Sequence, residues 1–222
     1  MATEEHEWSS KDYAQEWVSK DDRRAAEREA QFKAAARWLA IFWNGPVHVA
    51  DVGCGPGTFA QVLLREFPQV SVVCLDGSRE MLELARQRLG AYSDRVSYVE
   101  ADFSGEEWKS RLPEGLDGMV SARAIHNLRK LKLVGRVYRD ICQSLRPGGL
   151  FLNIERVNFS TPALRHYYRE LQVKERGRAA KLDGPAPSLL QQFRLLKRAG
   201  FRDIDCFWRD GNTAIVGGFK GE

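Results

Sequence analysis

Val49-Ala50-Asp51-Val52-Gly53-Cys54-Gly55-Pro56-Gly57-Thr58-Phe59 decides how the rest of the chain is read. Apolar and small residues run into one acid, and glycines then alternate with other residues. Glycine loses more conformational entropy on folding than any other residue. A cluster of glycines directly after a buried strand therefore marks backbone that must come close to something. Thr58 to Phe67 follows as a helical run stopped by Pro68. The stretch is thus a strand, a glycine turn and the start of a helix.

Working outward, the same alternation continues. Upstream, an Ala-, Glu- and Arg-rich run from Asp21 reads as a long helix with acids at its N-terminus, broken at Asn44-Gly45-Pro46. Downstream, 70–76 is a near-continuous apolar strand. Residues 78–90 form a helix with Ser78 as N-cap and Gly90 at its end. Residues 95–102 and 116–122 are the third and fourth strands. A helix over 130–145 is closed by Arg146-Pro147-Gly148-Gly149, and 150–157 is the fifth strand. Strands alternating with helices imply a parallel sheet covered on both faces. The polar, basic segment 158–187 is expected to be a helical insertion followed by a loop. A helix over 188–200 ends at Gly200, and two β-rich runs around Asp210-Gly211-Asn212 form a hairpin.

Composition bounds the function. The 222 residues are 43% hydrophobic and 29% charged, as in an ordinary soluble domain. No apolar run is long enough to span a bilayer. The opening MATEEHEWSS lacks the basic and apolar regions of a secretory signal, so a cytoplasmic location is expected. Cys54, Cys74, Cys142 and Cys206 are far apart and suggest neither a disulfide framework nor a zinc site. A net charge of +4, without a basic tail, gives no sign of a nucleic-acid partner. A small-molecule substrate is expected instead.

In an open α/β sheet the first strand–helix loop borders the ligand crevice. A dinucleotide fingerprint, G-x-G-x-x-G, would place its third glycine at Thr58. Asp51 to Gly57 instead matches D/E-x-G-x-G-x-G at every position, and this resembles motif I of class I S-adenosylmethionine (SAM)-dependent methyltransferases. Other segments carry the same resemblance. Asp76 ends the second strand and opens Asp76-Gly77-Ser78-Arg79-Glu80-Met81-Leu82, similar to the family's D-x-S-x-x-M-L. Asp102 ends the third strand, with Phe103 beside it. Ser144 to Glu155 and Leu195 to Trp208 resemble the segments around the family's fifth and sixth strands. The likeness covers 46–157 and 188–222.

The resemblance implies a Rossmann-like, seven-stranded, mostly parallel α/β sheet with an antiparallel last strand and helices on both faces. Residues 1–45 would be an N-terminal helical cap, 46–222 the methyltransferase domain and 158–187 a substrate lid. The implied cofactor is SAM, leaving as S-adenosylhomocysteine (SAH). Asp76 would bind its ribose hydroxyls, and Met81, which also suits the core of its helix, would lie beside the adenine. Asp102 would meet the adenine amino group with Phe103 alongside. Asp51 would orient the loop and hold the cofactor's amino end. Gly53, Cys54, Gly55, Gly57, Gly77 and Ser121 complete the expected cofactor set.

Methyl transfer from a sulfonium is an in-line displacement, for which the protein supplies alignment and charge control. An alcohol or phenol acceptor also needs a base. His126, in the loop after the fourth strand, is the candidate base, with Arg123 and Asn127 as flanking substrate contacts. That loop reads Ser121-Ala122-Arg123-Ala124 where DNA and protein amino-methyltransferases of this resemblance carry (N/D)PP(Y/F), so that chemistry is disfavoured; for a small-molecule acceptor, oxygen is favoured over nitrogen. No metal is expected. His166 and Tyr167 in the insertion would suit a carboxylate or phosphate, and Tyr13 in the N-terminal segment is a further substrate candidate. The expected activity is methyl transfer to a small molecule. Its rivals are a non-catalytic SAM-binding protein and an NAD(P)-dependent oxidoreductase.

Overall fold

β-Branched side chains suit a pleated surface packed on both faces, and Val47–Val52 forms such an interior strand, β1. The computed structural model describes residues 25–177 and 186–222, so Tyr13 and the aromatic N-terminal segment lie outside the described residues. Helix α1 (Ala25–Phe42) precedes β1. There follow α2 (Thr58–Glu66), β2 (Val70–Asp76), α3 (Arg79–Arg88), β3 (Val96–Glu100), β4 (Leu116–Ala122), α4 (Leu131–Ser144) and β5 (Leu145–Arg156). The chain continues through α5 (Pro162–Arg176), α6 (Leu189–Ala199), β6 (Phe201–Asp210) and β7 (Thr213–Lys220).

The sheet order is β3-β2-β1-β4-β5-β7-β6. The pairs from β3 to β5 are parallel, while β7 runs antiparallel to β5 and β6. Chain order reverses between β1 and β4, which opens a crevice at the carboxyl ends of those strands. Phe32, Leu39, Trp43, Phe59 and Leu63 build a core on the face covered by α1, α2 and α3. Trp108, Tyr138, Phe151 and Leu196 build another beneath α4 and α6.

Local chemistry fixes the helix ends. The Ser78 hydroxyl accepts the Met81 amide at 3.2 Å and starts α3. Ser188 and Gln191 form a reciprocal capping box at α6, and Gly200 ends that helix. Below the crevice, the Arg95 guanidinium donates to the carbonyls of Leu64, Phe67, Pro68 and Val70 at 2.9–3.1 Å. It thereby ties the end of α2 to β2.

Two boundaries differ from expectation. The Pro-Gly-Gly turn lies inside β5, because Leu145 already pairs with Leu116 before the register shifts and resumes at Gly118↔Leu150. An irregularity in a longer strand therefore replaces the expected loop. Gly90 begins a short 3₁₀ turn, and α3 is closed one residue earlier, by Leu89. Elsewhere Gly211 turns the β6–β7 hairpin, and Tyr168 of α5 lies so close to it that a Cβ there would overlap the phenol. That contact docks the insertion helix on the hairpin.

Candidate active site

The carboxyl ends of β1, β2 and β4 open into a cavity of about 470 Å³. The three loop glycines serve different ends. Gly53 has φ +71, and a Cβ there would collide with Ala124 and approach Phe103 to 3.2 Å. A Cβ on Gly57 would meet Leu89 at 3.0 Å. Only at Gly55 would a Cβ meet open space. Gly53 and Gly55 both line the cavity, and Gly57 packs against α3 instead. Gly53 and Gly57 let the loop pack against protein, and this presents Gly55 to the cavity.

The acids converge at the glycine end. The Asp76 carboxylate accepts the Gly55 amide at 2.8 Å and the Ser78 amide at 2.9 Å. Burial raises its pKa, and those amides oppose the rise. Asp51 is buried, and neither of its carboxylate oxygens has a hydrogen-bond partner among the described residues. Burial, reinforced by the charge of Asp76, pushes its carboxyl up to about 7. Asp102 lines the cavity while accepting the Ser104 amide and hydroxyl, each at 2.7 Å. Met81 is both buried and cavity-lining. Gly77 and Phe103 line the cavity as well. Cys54 also borders it, but the neighbouring Cys74 thiol and burial hold its thiol well above its ordinary pKa, which suits packing rather than reactivity.

Helix α1 supplies residues that the sequence reading did not single out. Phe32 stacks on Phe59 of α2, with centroids 4.8 Å apart. Arg28 lies one turn earlier on the same face, is 8% exposed and lines the cavity beside the loop. Its signal in the sequence was faint, since it is one arginine among many in a polar helix.

Opposite the glycine loop, the chain leaves β4 through a turn whose residues Arg123, Ala124, Asn127 and Leu128 line the cavity. His126 sits in this turn but does not itself line the cavity. Its ring Nδ1 lies 2.6 Å from Glu155 Oε1, and its backbone N–H donates to Glu155 Oε2 at 2.9 Å. Glu155, near the end of β5, is 1% exposed and also accepts the Arg156 amide at 2.7 Å. A carboxylate only accepts hydrogen bonds, so with Glu155 ionised it is Nδ1 of the ring that donates, and Nε2 points away from the pair. Glu155 too was absent from the sequence reading, where it looked like any acid at a strand end.

Other candidates are not gathered here. Ser121 is fully buried in β4, and its hydroxyl donates to the Val52 carbonyl at 2.8 Å, which corrects its placement among cofactor contacts. His166 pairs with Glu170 on the outside of α5 at 3.3 Å, and Tyr167 is 64% exposed. Neither lines the cavity, because the tethered face of α5 is the one that carries Tyr168.

The cavity fits an adenosyl amino acid. The orphaned Asp51 carboxylate calls for a cation such as an ammonium group. Arg28 and the N-terminus of α2 suit a carboxylate. A family model described as a methyltransferase domain matches residues 49–149. Over this segment the chain is a class I SAM-dependent methyltransferase domain. SAM is the cofactor of this methyltransferase. It is 26% identical over 204 residues to the carboxy-S-adenosyl-L-methionine synthase of Trichodesmium erythraeum, covering 85% of this chain and 78% of the relative. It is 31% identical over 145 residues to the trans-aconitate 2-methyltransferase of an Acidovorax species, covering 65% of this chain and 48% of that one. The fold matches human N-acetylserotonin methyltransferase in complex with SAM with a TM-score of 0.70. Identity there is 20%, over all of this chain and 61% of the human one. No helix among the described residues is long and apolar enough to cross a membrane.

Proposed function

We propose that this methyltransferase passes the methyl group of SAM to an oxygen of a small-molecule acceptor, with His126 as the base. The observation that carries the reading is the His126–Glu155 pair, which fixes a partly exposed imidazole in the turn whose residues Arg123, Ala124, Asn127 and Leu128 line the cofactor cavity. When bound, the cofactor supplies an electrophilic methyl group on a sulfonium. Asp51 holds the cofactor's ammonium and Arg28 its carboxylate. Asp76 accepts from the ribose hydroxyls, and Asp102 from the adenine amino group. Glu155 keeps Nδ1 of His126 protonated and the ring fixed, so that Nε2 takes the proton of the acceptor hydroxyl as the oxygen attacks. Both the relatives and the cavity's size favour a small acceptor, since one relative is named for methylating trans-aconitate.

Formation of SAH from SAM over a panel of hydroxylated metabolites tests the reading. His126→Ala should lower kcat by roughly 10²–10⁴-fold while SAH affinity stays within a few-fold. A kcat close to wild type would remove His126 from the reaction. Tight SAH binding with no transfer to any acceptor would favour a non-catalytic SAM-binding protein. Binding of NAD in place of SAH would favour an oxidoreductase.

A further inference from the structure

Helix α1 carries two apolar faces. Phe32, Ala35 and Leu39 are buried in the core. On the outer side, Ala34, Arg37, Trp38 and Ile41 follow the i, i+3, i+4, i+7 spacing of a second helical face. With Trp208 of β6 they line a cavity of about 360 Å³. It shares no lining residue with the cofactor cavity. Trp38 is 37% exposed and Ile41 59%. Large apolar side chains gathered in water mark a surface that binds something.

The walls are held in place. The indole N–H of Trp38 donates to the Phe207 carbonyl at 2.8 Å, and the two rings meet edge-on with centroids 5.2 Å apart. The ladder between β6 and β7 steps from Cys206↔Val216 to Trp208↔Ile215 and skips Phe207. A bulge of this kind re-aims the side chains beside it. Trp208 thus closes the cavity opposite α1, while the small side chain of Ala34 leaves its floor open.

One charge stands at the rim. Glu29 and Lys33, on the preceding turns of α1, pair at 2.8 Å, whereas Arg37 has neither an ion pair nor a hydrogen bond among the described residues. A partner strand is a poor occupant. β6 is the outermost strand, but its edge is broken by the bulge and by Asp203 at φ +49°, with Asp205 close by. An apolar cavity with two indoles and one polar anchor suits a flat anion of a few rings. Its ring rests on the indoles, and its carboxylate pairs with the planar guanidinium.

We propose that the cavity between α1 and β6 is a second ligand site, which takes a small aromatic carboxylate. Because the cavity is separate from the cofactor's, it fills with the cofactor in place.

The test uses the full chain saturated with SAH, so that the cofactor cavity is occupied. 2-Naphthoate and indole-3-acetate are titrated by calorimetry against their neutral amides. At least one carboxylate should bind about fivefold more tightly than its amide, as for a single exposed ion pair. Arg37→Gln should remove that difference. Ala34→Leu, a good helix former that fills the floor, should abolish binding of carboxylate and amide alike. Both variants should bind SAH as wild type does, which separates loss of this site from loss of the fold. The proposal is overturned if neither carboxylate binds, if the amides bind equally well, or if binding survives in Ala34→Leu. It is also overturned if the protein sediments as a dimer that Ile41→Glu dissociates, because the face would then be covered by a second copy.

Discussion

Replacing Asp51 by Asn should stabilise the protein while weakening its hold on the cofactor. The isostere keeps the volume of the buried side chain and removes a charge that burial and Asp76 oppose and only the Ala60 amide eases. The carboxyl is raised from 3.8 to about 7, a difference of about 3 units, or roughly 4 kcal/mol at 1.36 kcal/mol per unit. The sign follows from linkage. Between these two values the unfolded chain has released the proton and the folded chain retains it. The stability due to this group is therefore complete below about pH 4, falls as pH rises towards 7 and is flat above. Asp51→Asn lacks this decline and should be the more stable protein at pH 8 by up to about 4 kcal/mol. For a chain of this size that is on the order of 10 °C in Tm. Cofactor binding runs the other way. An ammonium group pairs with the ionised carboxylate, so wild-type affinity for SAH should tighten as pH rises towards 7, while the variant binds weakly and with less dependence on pH. Thermal melts of both proteins from pH 5 to pH 8.5, with and without SAH, measure all of this. A variant that melts below wild type at pH 8, with an unchanged pH slope, would refute the reasoning, because Asp51 would then be a satisfied ion in the ligand-free protein.

Gly53→Ala should destabilise by about 2–4 kcal/mol and abolish SAH binding, since the new methyl group meets Ala124 at a left-handed position; melting and calorimetry measure both effects. Arg28→Met should weaken SAH about tenfold but leave 5′-methylthioadenosine unaffected, as that nucleoside has no carboxylate; equal losses for both ligands would contradict the assigned contact. Arg95→Met should cost about 1–3 kcal/mol by leaving the carbonyls around the end of α2 without their shared donor, with no change in SAH affinity.

The order of strands and helices was legible because each carries a periodic or continuous apolar pattern with a chemical stop. Val70–Asp76 and Leu116–Ala122 fall where their apolar runs predict. The cofactor side of the cavity was legible for a related reason. Its acids sit at strand ends a fixed distance from the glycine loop, so local spacing encodes spatial proximity. Glu155 and Arg28 were not legible, since their roles arise from long-range packing. Glu155 meets His126 across 29 residues, and Arg28 reaches the loop through the Phe32–Phe59 stack. Ser121 misled because a hydroxyl at a strand end looks available for a ligand until a neighbouring strand's carbonyl takes it. His166 and Tyr167 misled because sequence alone does not say which side of α5 is tethered.

The position of Glu155 also separates two parts of the proposed site along the chain. The segment that matches the methyltransferase family ends at residue 149, before this carboxylate is reached. Glu155 is paired with Ala214 of β7, a strand the chain completes only after α5, α6 and β6. The proposed cofactor contacts thus lie in the first two thirds of the sequence, while the carboxylate that holds His126 sits on a strand paired with the last one. The two can drift separately: substitutions in the C-terminal hairpin have a route to the acceptor chemistry that bypasses the glycine loop. A lineage could in this way change what it methylates while its affinity for SAM stays constant.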